Sequence, residues 1–245
     1  MANKRLYWDA GHGGSDAGAV GNGLKEKDLA IKVTKYAHAY IKDNYVCDQY
    51  LDISDDNLNT ITARANKWGA DLVVSNHFNA YKPNVGDGYE GLVYNSKNIA
   101  LGQMFEKYVK AVGQNSRGVK CRDDLAILRD TKCKAILNEI AFIDTKKDIK
   151  DWDEDKELKV MGQALAKAAA DWLILPKKTV KYMTQGNMNF RKGATTASDV
   201  IGTIPKGTTI NVQSVDKNGW GKLTYKNKTG YVRIKSSTTT YCKLV

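Results

Sequence analysis

The 245-residue sequence lacks any apolar run long enough to span a bilayer; a run such as Trp172 to Leu175 falls far short of the roughly 20 residues needed. Membrane insertion is therefore not expected. The first residues, MANKRLYWDAGHGG, carry two basic side chains but no apolar segment, so no Sec signal peptide is expected. Cysteine is sparse: four copies, at 47, 121, 133 and 242, with no C-x-x-C spacing. A disulfide framework and a cysteine-rich zinc site both lack support, and the four read as free thiols. Acidic residues almost vanish at the end of the chain. From Pro176 to Val245 there are thirteen Lys and Arg against two Asp, whereas residues 1–175 carry 25 of each sign, so the whole net charge of +11 lies in the last seventy residues. That division points to two independent units, the second of which meets something anionic.

What is present in the first 175 residues is an alternation of strand and helix signals. Strands are expected at Arg5–Trp8, Val46–Leu51, Leu72–Val74, near Gly91–Tyr94 and at Ala135–Leu137. Helices are expected at Asp28–Lys42, Ser54–Trp68 with an Asp or Ser cap, Ile99–Val112 and Asp155–Leu173. This order predicts an α/β fold with a mostly parallel twisted sheet flanked by helices. After the short linker 176–179, β-prone runs at 207–212, 221–225 and 230–234 alternate with turn signals and predict a small all-β barrel.

Histidine is scarcer still, with three copies, and one stands inside a glycine cluster, YWDAGHGGSDAG at 7–18. Phosphate-binding loops are excluded by register. A G-x-G-x-x-G fingerprint begun at Gly11 and Gly13 meets Asp16 in place of its third glycine, and the Walker spacing of Gly18 and Gly23 is followed by Leu24 and Lys25. In open α/β sheets ligands bind beyond the carboxyl ends of strands. His12, His77 and Glu139 each follow an expected strand, so the fold would gather them. Two histidines and a carboxylate form a ligand set for catalytic zinc that leaves a fourth position for water. Glu26 follows the glycine loop closely enough to share a site with His12, and equally suits a helix N-terminus as an acid favoured by the dipole. His38, beside the apolar face of the first helix, reads as a structural residue.

The segments DAGHGG, GLKEKDLA, ARANKWGADLVVSNHFNA and AILNEIAFID occur in the order and spacing of one family. Over about residues 4–174 the chain resembles the zinc-dependent N-acetylmuramoyl-L-alanine amidases of the amidase-3 family. Asn76, Phe78, Lys134 and Ala141 depart from that pattern without removing any of its chemical positions. The resemblance implies one Zn2+ per chain held by His12, Glu26 and His77, with Glu139 as the catalytic glutamate. It also implies cleavage of the amide joining N-acetylmuramic acid to L-alanine in peptidoglycan.

The segment 187–232 resembles a bacterial SH3 domain, with Asn189 to Ala194 in place of its usual N-V-R-x-G-P. This implies a wall-binding module at 180–245 beside a catalytic domain at 1–175. Tyr182, Phe190 and Arg191 are its candidate contacts, while Trp220 and Tyr231 are expected in the barrel core. The expected partners are peptidoglycan and, through charge, anionic wall polymers. A nucleic acid is not expected, because the basic tail has no recognition-helix pattern.

A compact catalytic-plus-binding layout without a signal peptide resembles a phage endolysin, made in the cytoplasm and acting on the wall after release; a host autolysin is the neighbouring alternative. A non-catalytic wall-binding protein is the competing class, and the presence of all four chemical positions argues against it.

Overall fold

Every residue of the first strand after Arg5 is buried, and its side chains alternate between two cores. The computed structural model describes residues 2–54 and 56–245. The chain divides into two compact units, the first ending at Pro176 and the second beginning at Lys177.

The elements of the first unit are, in chain order, β1 (Arg5–Ala10), β2 (Val20–Gly21), β3 (Leu24–Lys25), α1 (Glu26–Asn44), β4 (Asp48–Asp52), α2 (Leu58–Trp68) and β5 (Leu72–Asn79). They continue with β6 (Tyr89–Val93), α3 (Ile99–Lys110), β7 (Ser116–Cys121), α4 (Ala126–Arg129), β8 (Lys134–Phe142), α5 (Lys146–Ile149) and α6 (Asp155–Leu173). Six strands form one sheet in the order β4-β1-β5-β8-β6-β7. The first four run parallel, while β6 is antiparallel to β8 and parallel to β7.

The period-2 alternation of strand side chains divides the core. Leu6, Trp8, Leu72, Val74 and Ile136 face α1, α3 and α6, where Val33, Phe105 and Leu165 pack on them. Tyr7, Val73, Ala135 and Leu137 face the other way, toward Ile61 and Ala65 of α2 and Ile127 and Leu128 of α4. Covering both faces explains why these strands read as continuous apolar runs.

Two strands outrun their apolar segments. β5 continues through His77 to Asn79, and β8 through Glu139 to Phe142. His77 and Glu139 therefore lie within strands rather than just beyond them, because main-chain pairing between parallel neighbours continues irrespective of side chain. The cap of α2 is Asn57, whose side chain accepts from the Thr60 amide; the Asp or Ser expected there is not used.

In the second unit, β9 (Val180–Thr184), β10 (Met188–Arg191), β11 (Val200–Ile204), β12 (Thr209–Val215), β13 (Trp220–Tyr225), β14 (Lys228–Arg233) and β15 (Cys242–Leu244) form an antiparallel sheet in the order β11-β10-β14-β13-β12-β9-β15. Its core includes Met188, Phe190, Ile204, Ile210, Val212, Leu223, Val232 and Ile234.

Candidate metal centre

Glu26 opens α1 as the sequence suggests, yet it is 4 % exposed, so the helix start alone does not account for it. Its carboxylate is fixed by the main chain. Oε2 accepts from the Ala19 amide at 2.8 Å and Oε1 from the Phe78 amide at 3.1 Å. His12 Nε2 lies 3.2 Å from Oε2, and His77 Nδ1 lies 2.9 Å from Oε1. One donor atom from each of these three residues falls within 4.8 Å of the other two. The structure thus brings together the three residues expected to be ligands.

The backbone is shaped around this cluster. His12 takes a left-handed conformation, φ 63°, which is uncommon for a residue with a Cβ and marks a constrained position. A Cβ on Gly11 would stand 2.2 Å from the His77 ring, and one on Gly18 would stand 2.5 Å from the His12 ring. Gly11 and Gly18 therefore make room for imidazole rings.

The donor chemistry suits a divalent cation such as zinc. Two imidazole nitrogens and a carboxylate oxygen converge, and the other nitrogen of His12 meets the Asp16 carboxylate at 2.7 Å. Such an outer carboxylate orients a ligating histidine and strengthens it as a ligand. In the metal-free protein Glu26 pushes His12 up to about 9 through its hydrogen bond. Burial lowers the pKa of His77, but the hydrogen bond to Glu26 and the charges of Glu139, Glu26 and Asp9 together outweigh it, and the net shift is upward. Burial works against ionisation of Glu26, yet the two imidazoles hold it well below the usual carboxylate range.

Glu139 is the direct register partner of His77 on the neighbouring strand. Its Oε2 is buried without a hydrogen-bond partner. Burial pushes its carboxyl up to about 7, with Glu26 and Glu90 adding to the shift and the histidines opposing it. A cleft of about 610 Å3 opens beside His12 and His77, on the side of the β4–α2 connection, where Ser54, Asn57 and Asn59 line it.

Three neighbours escaped the reading of the sequence. Asp16, four residues after His12, had a legible spacing. Asp9, 3 % exposed and bonded by Ser75 Oγ at 2.5 Å, lies in β1 and carries no sequence signal of its own. Glu90 depends on strand order, which the sequence does not display.

In the second unit the expected contacts separate. Phe190 is 1 % exposed and meets Tyr225 edge-to-face, so its ring fills the core rather than a groove. Tyr182 is half-buried, and Arg191 donates to the Ser198 carbonyl at 2.7 Å. Neither Trp220 nor Tyr231 belongs to the core cluster: Trp220 is buried outside it, and Tyr231 is half-exposed because its position on β14 alternates with the inward Val232.

The profile of the N-acetylmuramoyl-L-alanine amidases matches residues 7–171, and that of the bacterial SH3 domain matches residues 186–239. The endolysin of Bacillus phage SPP1 is 35 % identical over 189 residues, covering 72 % of this chain and 69 % of that one. The sporulation-specific N-acetylmuramoyl-L-alanine amidase of Bacillus subtilis is 32 % identical over 157 residues, covering 59 % of this chain and 58 % of that one. Among solved structures, the catalytic domain of the amidase CwlV from Bacillus (Paenibacillus) polymyxa shares the fold, with a TM-score of 0.66 over 70 % of this chain and 99 % of that one at 24 % identity. The chain belongs to the N-acetylmuramoyl-L-alanine amidase family, whose activity is peptidoglycan hydrolysis at an amide bond, and it carries a bacterial SH3 domain after the amidase domain.

Proposed function

We propose that the chain is a zinc-dependent amidase of the endolysin kind. In this reading residues 1–175 form the catalytic domain, 176–179 a linker and 180–245 a wall-binding domain. One Zn2+ is held by His12, Glu26 and His77, and the bond cut joins N-acetylmuramic acid to L-alanine. The observation that carries the reading is three convergent donor atoms beside a buried carboxyl oxygen without a partner.

An unstrained amide is a poor electrophile with a poor leaving group, so hydrolysis needs carbonyl polarisation, an activated water and a proton for the amine. Zinc at such a site supplies Lewis acidity and makes water acidic near pH 7. Glu139 supplies the rest. Its carboxylate takes a proton from water as the oxygen adds to the carbonyl carbon. As the C–N bond breaks, the same carboxyl returns the proton to the departing nitrogen. A carboxyl whose pKa lies near the working pH serves both halves of that exchange, a contribution of roughly 10²–10⁴-fold. Glu26 cannot take this role, since its oxygens are committed to two amides and two imidazoles.

The two roles separate by mutation. His77→Ala should purify with little zinc. Glu139→Gln should retain stoichiometric zinc and lose nearly all activity, read by metal analysis and by mass spectrometry of digested peptidoglycan. Loss of metal from Glu139→Gln, or full metal in His77→Ala, would exchange or refute the assignments.

A further inference from the structure

The site continues across the sheet beyond Glu139. His77 on β5 opposes Glu139 on β8, and Glu139 opposes Glu90 on β6. Directly opposed residues share a face, so the three form a row with one strand spacing, about 4.8 Å, between neighbours. On β7 the register shifts between the pairs Tyr89–Ser116 and Gly91–Val119, and the irregularity places Arg117 beside Glu90.

Glu90 is 7 % exposed, and both its oxygens are engaged. Oε1 accepts from Arg117 Nε and from Lys120 Nζ, each at 2.5 Å, and Oε2 accepts from Asn79 Nδ2 at 3.1 Å. The Arg117 guanidinium also lies over the Phe142 ring, 5.3 Å from its centroid. Its Nε and its plane are therefore fixed, while its two terminal nitrogens have no hydrogen-bond partner among the described residues. The Arg117 and Lys120 side chains remain 44 % and 46 % exposed. One carboxylate against two cations leaves a net positive charge beside the catalytic carboxyl. An immobilised guanidinium with both terminal NH2 groups free is a preorganised receptor for a carboxylate.

The proton path gives this receptor a direction. Glu139 must face the departing nitrogen, so the leaving peptide lies over β8 and runs on toward β6 and β7. The acyl side then lies toward the cleft between His12 and Asn59. From Glu139 to β7 is two strand spacings, roughly 10 Å. Two extended residues reach roughly 7 Å, and an acidic side chain covers the remainder.

We propose that Arg117, assisted by Lys120 and aligned by Glu90, binds a free carboxylate on the second residue of the leaving peptide and so distinguishes an acidic stem peptide from its amidated form. This rests on the amidase reading and names a specificity determinant within it.

The test uses the full-length zinc enzyme and two synthetic muramyl tripeptides that differ only in a carboxylate or a carboxamide on the second residue. The wild type should prefer the acid on the order of tenfold in kcat/KM, the worth of one charge-assisted contact. Arg117→Ala should bring the ratio close to one, with Arg117→Lys between the two. Arg117→Gln, which keeps a planar group over Phe142, serves if the alanine variant fails to fold. A wild-type ratio near one, or an unchanged ratio in Arg117→Ala, would overturn the proposal. If the wild type cleaved neither peptide, the amidase reading would fall by itself. Calorimetric binding of the same pair would then judge the subsite, with equal affinities counting against it.

Discussion

Glu139 faces opposed demands, because the burial that tunes it for proton transfer also taxes the fold. Its folded pKa of about 7 stands above the ordinary value of 4.5, so the folded state favours the protonated carboxyl. The contribution of Glu139 to stability is therefore most favourable below about pH 4.5, declines as pH rises toward 7, and reaches its full cost above it. At 1.36 kcal/mol per unit, the shift corresponds to about 3 kcal/mol as an upper bound in metal-free protein. Glu139→Gln removes that charge and keeps the shape. The chelated variant should exceed the chelated wild type by about 1–3 kcal/mol at pH 8, and the difference should vanish near pH 4.5. Unfolding midpoints at the two pH values check this, and a pH-independent difference would mean that the carboxyl is solvated. Restoring zinc should narrow the gap, since a nearby dication stabilises the wild-type carboxylate.

At the scale of elements, the strands that present the site are tied together beneath it. Asn76 donates to Thr34 Oγ1 at 3.0 Å, Asn138 donates to Asn76 Oδ1 at 3.0 Å, and the Tyr89 hydroxyl donates to Asn138 Oδ1 at 2.8 Å. All four residues are fully buried, so the chain links α1, β5, β8 and β6 in a layer closed to solvent one residue from His77 and Glu139. Asn138→Leu keeps the branching and the number of heavy atoms but strands the Tyr89 hydroxyl and the Asn76 side-chain carbonyl. It should cost about 2–4 kcal/mol. Tyr108→Phe, which removes an exposed contact to Asp171, should cost under about 1 kcal/mol. Denaturant unfolding of both variants compares them directly.

The legibility of the elements follows the same physics. Strands β1, β5 and β8 and helices α1, α3 and α6 were readable because burial imposes apolar runs and helical spacing on them. His12, His77, Glu26 and Glu139 were readable as scarce or costly residues near such runs. Strand β7, SRGVKC, has no apolar alternation to betray it. The antiparallel insertion of β6 depends on pairing between distant segments, and with it went Glu90 and Arg117.

At the scale of the whole molecule, charge and chemistry are divided between the two units. The amidase unit is neutral through residue 175, and the seventy residues that follow hold thirteen basic side chains against two acidic ones. A neutral catalyst gains nothing from a polyanionic surface, whereas one tethered to it works at a raised local concentration of substrate. A chain ending at Leu175 should therefore cleave soluble muropeptides at close to the full-length rate while lysing intact walls at least tenfold more slowly, as an effective-concentration effect allows. The first core lies within residues up to Leu175, so the truncation leaves it whole. The separate unit from Lys177 onward should sediment with purified walls at low salt. Its bound fraction should fall as ionic strength rises from about 0.01 M to 0.15 M, because the Debye length contracts from about 30 Å to about 8 Å. If binding persists unchanged across that range, the SH3 domain holds the wall through specific contacts and its charge is incidental. If the unit fails to sediment at low salt, wall anchoring is not its role, and the basic excess serves another anionic partner.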